Sequence, residues 1–130
     1  MMDDYAKKWL LKANNDLKAA TSLLKMPSGE IVTEAVCFHA QQAAEKYLKA
    51  FLVTHDIDFG KTHNLEFLVE LCASQDRDFR QFNVGNLTSY AVEVRYPDEF
   101  YTPTLTEAKE SVKIARQVKR FVLKKLKVKQ

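Results

Sequence analysis

Four polar side chains, His39, Gln42, Lys46 and Lys49, recur at intervals of three and four residues in the stretch "EAVCFHAQQAAEKYLKAFLVT". On a helix they share an arc of about 80° bordering an apolar face. Two ammonium groups, an amide and an imidazole in such a row are suited to holding an anionic or polar ligand. Lysine supplies a point charge, while glutamine and histidine supply directional hydrogen bonds. The competing reading lays the lysine stems along a helix boundary and makes His39 a hydrogen-bonded packing residue.

Two further places carry suitable groups. In "KTHN", Lys61 to Asn64, His63 stands just before a helical pattern, where unpaired N–H groups accept anions. Capping or bonding a neighbouring carbonyl would equally explain it. In "AVEVRYPDEFYTPT", Ala91 to Thr104, Arg95 sits at the end of a helical pattern beside Asp98 and Glu99. Arginine can clamp a phosphate with two parallel hydrogen bonds, yet a cation at a helix C-terminus is also comfortable without any ligand.

Familiar catalytic patterns are missing. The chain has no Gly-rich phosphate loop, no Gly-x-Ser-x-Gly, no Cys-x-x-Cys and no His-Glu-x-x-His. His39, His55 and His63 lack a metal-ligand spacing, so neither a metal nor a cofactor is expected.

These residues need helices to position them. Trp9, Ala13, Leu17, Ala20 and Leu24 form one apolar stripe over about 4–24, with Asp3 or Asp4 as its cap. A second segment over about 29–54, with Ser28 as a candidate cap, turns a broad face of Val36, Cys37, Ala40, Ala43, Ala44, Tyr47, Leu48, Ala50 and Phe51 inward. Such a wide face suits a central helix, and its small residues admit close neighbours. A third segment covers about 64–73, capped by Thr62 or Asn64. A fourth covers about 76–96, with Gly85 as an interruption and Pro97 as its stop. A fifth runs from a Thr104 or Thr106 cap to about Lys127. With no strand-like alternation, the expected fold is all-α, an up-and-down bundle of four to five helices in a single domain, 1–130.

At 130 residues, 46% hydrophobic and 28% charged, the chain can bury a real core. Cys37 and Cys72 lie inside apolar patterns and read as reduced, buried side chains. No apolar run is long enough to span a bilayer, and the opening "MMDDYAKKWL" has no apolar signal core, which points to the cytoplasm. The net charge of +3 does not by itself imply nucleic acid. The tail "KRFVLKKLKVKQ" holds six cations and no acid, either a solvated helix end or a footprint for an anionic partner.

Three blocks together resemble the HEPN (higher eukaryotes and prokaryotes nucleotide-binding) family: "WLLKANNDLKAATSLL" (Trp9–Leu24), "EAVCFHAQQAAEKYLKAFLVTHDIDFGKTHNLEFLVELC" (Glu34–Cys72) and "YAVEVRYPD" (Tyr90–Asp98). The resemblance implies a helical bundle that often forms a homodimer, with a nucleotide or other phosphorylated ligand, or RNA, as what it binds. It also implies pairing with a minimal nucleotidyltransferase, as a substrate-binding subunit or one half of a toxin–antitoxin-like pair. Carried over by position, the ligand-binding set is His39, Gln42, Lys46, Lys49, His63 and Arg95, with Tyr96 against base or sugar. Many HEPN members are metal-independent RNases using Arg-x4–6-His. Here the corresponding positions after Arg95 are Phe100, Tyr101 and Thr102, and no histidine follows Arg95. The usual acid–base partner for attack by a ribose 2′-hydroxyl is absent, so no catalytic residue is assigned and binding is preferred over catalysis. The alternatives are an RNase toxin whose acid–base residue is displaced, and a non-catalytic protein-interaction module. Tyr101 is a candidate for modification by a nucleotidyltransferase partner.

Overall fold

A computed structural model describes residues 3–85, 87–90 and 101–128. Within them stand four α-helices, α1 (Asp4–Leu24), α2 (Thr33–Thr54), α3 (Leu65–Gln75) and α4 (Leu105–Lys125), and no strand. The all-α bundle expected from the periodicity is the observed architecture.

In α1 the buried positions are Ala6, Leu10, Ala13, Leu17 and Ala20, spaced by three and four, and Trp9 and Leu24 pack partly buried at the edge of the same stripe. Asp3 caps it, its Oδ1 accepting from the Ala6 N–H at 2.8 Å. Helix α2 is the central element and packs against α1, α3 and α4. Its Ala40, Ala43, Ala44, Ala50 and Cys37 are fully buried, and these small side chains let the neighbouring backbones come close. Ser28 does not cap it. Ser28–Glu30 forms a separate 3-10 turn, Ile31 is extended, and α2 begins at Thr33, whose Oγ1 donates to the Pro103 carbonyl at 2.7 Å. Asn64 caps α3, accepting from the Phe67 N–H, and Thr104 caps α4 in a reciprocal capping box with Glu107.

The single helix expected over 76–96 is not what forms in its described part. Asp76 leaves the helical region at φ −147°, ending α3, and its side chain accepts from the Asp78 N–H. Two short 3-10 turns follow, Arg77–Gln81 and Leu87–Tyr90. Between them Phe82 is extended and Gly85 takes φ +55°, a left-handed backbone that favours glycine. The Asn83 carboxamide accepts from the Gly85 N–H at 2.9 Å and closes that turn. Phe79 and Leu87 still face inward, which is why the pattern looked helical. Lys125 reaches across from the end of α4 to both Asp76 and Asp78 at 2.7 Å, and its hydrogen bond holds the Asp76 carboxyl below the usual range.

Cys37 and Cys72 are both buried and unbridged. Burial pushes the Cys72 thiol up to about 12 and raises that of Cys37. The thiolate is the reactive form, so at about pH 8 an alkylating reagent should label neither cysteine in the folded chain and both after unfolding in guanidinium. Labelling of the folded protein at the unfolded rate would show that the core is open to solvent.

Candidate functional site

The polar row on α2 is not left facing solvent; α1 and the loop before α3 supply its partners. Asp16, on α1, receives two of its members. The His39 imidazole meets Asp16 Oδ1 through Nδ1 at 2.9 Å, and the Lys46 ammonium donates to Oδ2 at 2.5 Å. Two residues earlier on α1, Asn14 accepts from the Tyr47 hydroxyl. Burial, with the nearby Asp16 charge, raises the Tyr47 phenol far above its ordinary value and keeps it a donor.

The second cluster centres on Glu45, whose side chain is only 3% exposed. Lys49 Nζ donates to Oε2 at 3.0 Å, while Oε1 meets His63 Nδ1 at 2.9 Å and accepts from Gln41 Nε2 at 3.1 Å. Gln41 Nε2 also reaches the His63 carbonyl at 3.2 Å, so the "KTHN" loop is pinned to α2 by both main chain and side chain. Gln42 closes the chain, its Nε2 donating to Gln41 Oε1 at 2.6 Å. The Lys49 ammonium is further enclosed by the Trp9 and Phe59 rings, 5.5 and 5.2 Å away, a cation–π cage in a desolvated place. Trp9 Nε1 is buried there with no hydrogen-bond partner among the described residues.

Two consequences follow for ligand binding. The two ammonium charges of the row are matched by two carboxylates, so the row offers directional hydrogen bonds rather than net positive charge. Lys46 remains at the edge of the solvent, 21% exposed, whereas Lys49 at 6% reaches a ligand only by leaving Glu45. The histidines are placed differently. Each is held through Nδ1 by a carboxylate, which fixes the ring and leaves Nε2 as the nitrogen available to something else. His63 is the more open, with 62% of its side chain exposed, against 33% for His39.

Arg95 and Tyr96 lie outside the described residues. Tyr101 is exposed and donates to Glu107 Oε1 at 2.6 Å, a hydrogen bond that raises the phenol's pKa and keeps it protonated. The Thr104 N–H and then the Tyr101 hydroxyl hold Glu107 below the usual carboxylate range. A cleft of about 980 Å³ runs along α4 opposite residues 81–85 and 87–90, with Phe82, Leu87, Ile114 and Phe121 in its wall. None of His39, Gln42, Lys46, Lys49 or His63 lines it. Among the described residues no cluster of three or more His, Cys, Asp or Glu side chains is placed to hold a metal ion. No helix there is long and apolar enough to cross a membrane.

Sequence reasoning found the cations of the site and missed its acids. Glu45 was legible, because Glu four residues before Lys on a helix is a favourable pair. Asp16 was not, since its link to α2 depends on which face of α1 packs there.

A family model described as HEPN domain matches residues 6–126. No curated protein and no solved structure matches the chain.

Proposed function

The chain belongs to the HEPN domain family, and on that premise we propose that it binds a nucleotide or other phosphorylated ligand along α2. It would work in the cytoplasm as the homodimeric partner of a minimal nucleotidyltransferase, in a toxin–antitoxin-like pair. The observation that supports this reading is the pair of carboxylate-held imidazoles: His39 on Asp16 and His63 on Glu45. Fixed rings with a spare nitrogen, beside the Gln42 amide, supply the directional contacts a base or ribose needs. Since the lysines of the row are charge-matched, Arg95 would be the main contact to phosphate, with Lys46 as a second cation. Tyr96 would contact the base or sugar.

Calorimetry with a panel of nucleotides is the test. The wild type should bind at least one, and Arg95→Ala and His39→Ala should each weaken it by roughly tenfold or more, the worth of one charge-assisted or buried hydrogen bond. A wild type that binds no nucleotide overturns the reading.

RNA cleavage is a second reading, and one observation favours it. His63, open to solvent and oriented by the buried Glu45 carboxylate, has the arrangement of a general base. Incubating the same preparations with structured and unstructured RNA separates the two. Cutting by the wild type that is lost in His63→Asn would make the protein an enzyme.

A further inference from the structure

Five cations on the outer side of α4 form one row: Lys109, Lys113, Arg116, Arg120 and Lys124. Spaced by three and four residues, they fall within an arc of about 80° and extend for about 22 Å along the helix. All five are exposed, and no acid lies inside the arc. None makes an ion pair among the described residues. Arg116 alone has a side-chain partner there, donating to Thr21 Oγ1 at 3.3 Å. Around Thr21 the end of α1 adds two more exposed cations, Lys18 and Lys25, one turn to either side.

Such a row works against the free helix. Lys109 with Lys113, Lys113 with Arg116, Arg116 with Arg120 and Arg120 with Lys124 are like-charged neighbours, and each such pair is unfavourable. Elsewhere the chain pairs its cations, Lys46 with Asp16, Lys49 with Glu45, and Lys125 with Asp76 and Asp78. Along α4 no acid of the described residues relieves the repulsion, so the complement is a partner's. The shape of the row selects among polyanions. A helix that reads a nucleic-acid groove carries base-reading side chains along its middle, and here the middle is itself cationic. A platform for single strands needs aromatic rings between the charges, and the arc has none. A duplex backbone curves away from a straight rod and meets only part of the row. A second helix with acids at matching intervals, laid alongside, meets every cation over the full length. We infer that this face of α4 docks an acidic helix of a protein partner, with glutamates or aspartates recurring every three or four residues. The inference goes beyond the nucleotide reading, whose described residues lie on α2 and the loop before α3, so either can fail alone.

Fluorescence anisotropy at low salt tests it with three probes. One is a helical peptide with its glutamates in a single row at those intervals. The second has the same composition with the glutamates spread around the helix, and the third is an RNA duplex. The wild type should bind the single-row peptide roughly tenfold more tightly than either of the others, and added salt should weaken that binding. The double variant Lys113→Glu with Arg120→Glu should bind it roughly tenfold more weakly or worse. Because it turns like-charge neighbours into opposite ones, the same variant should melt no lower than the wild type by circular dichroism. A wild type that leaves the single-row peptide unbound, or binds the spread peptide or the RNA as tightly, overturns the inference. So does a double variant that binds the peptide as the wild type does. A double variant that melts lower would mean that the row is already compensated within the chain, and overturns it too.

Discussion

Lys49→Met will cost the folded chain about 3–5 kcal/mol, the loss expected when one partner of a buried ion pair is removed and the other stays. Both partners are out of water, Lys49 at 6% and Glu45 at 3% side-chain exposure. Without the ammonium, the Glu45 carboxylate keeps only the Gln41 amide and the His63 imidazole, and the Trp9 and Phe59 rings lose their cation. Domains of this size have roughly 5–15 kcal/mol in total, so the variant should melt roughly 10 °C lower or more. The neighbouring Lys46→Met is the control. Lys46 is 21% exposed and Asp16 retains His39, so its loss should stay near about 1 kcal/mol. Urea unfolding followed by circular dichroism measures both. A cost for Lys49→Met no larger than that for Lys46→Met would mean that Glu45 is reached by water. Replacing the pair together, Glu45→Leu with Lys49→Met, should recover part of the loss, because no orphaned charge remains.

That asymmetry bears on what can meet a ligand. As a row on one helix, His39, Gln42, Lys46 and Lys49 are equivalent; in the folded chain they are not. Lys49 is committed to stability, Lys46 is shared with Asp16, and the histidines are oriented for contact. The row itself was legible because four positions on one helix need only the 3.6-residue period to be placed together. Its division into enclosed and available members was not, since that is decided by Asp16 on α1, by Trp9, and by Phe59 in the loop. Those residues are distant in sequence and meet α2 only through tertiary packing. The helices divide the same way. Segments α1, α3 and α4 start where a side-chain cap is visible in the sequence, Asp3, Asn64 and Thr104. The stretch 76–90 deceived because Phe79, Phe82, Leu87 and Tyr90 keep near-helical intervals. The left-handed Gly85 and the Asn83 turn that break the run are local choices that periodicity does not register.

The same stretch yields the other large expected effect. Phe79→Ala should destabilise the protein by about 3–5 kcal/mol, the range for deleting a buried phenyl ring. Phe79 has no exposed surface, and its ring meets those of Phe51 at 4.5 Å and Phe121 at 4.8 Å, tying α2 to α4 through a five-residue turn. A turn that short has no helical stability of its own, because nucleation outweighs the few hydrogen bonds gained. Its position therefore depends on that ring and on the Lys125 contacts to Asp76 and Asp78. Phe82, only partly buried against the core and farther from Phe79 at 6.4 Å, should cost less when cut to alanine. Because residues 81–85 form one wall of the α4 cleft, Phe79→Ala should also loosen that wall at temperatures where the chain is still folded. The His39–Asp16 contact between α1 and α2 does not involve the turn, so nucleotide affinity should hold in that range. Hydrogen exchange distinguishes this from general loosening: amides of 77–85 should lose protection first, while those of α1 and α2 keep theirs. Equal loss across all of them would mean that the aromatic cluster supports the whole bundle rather than this one wall.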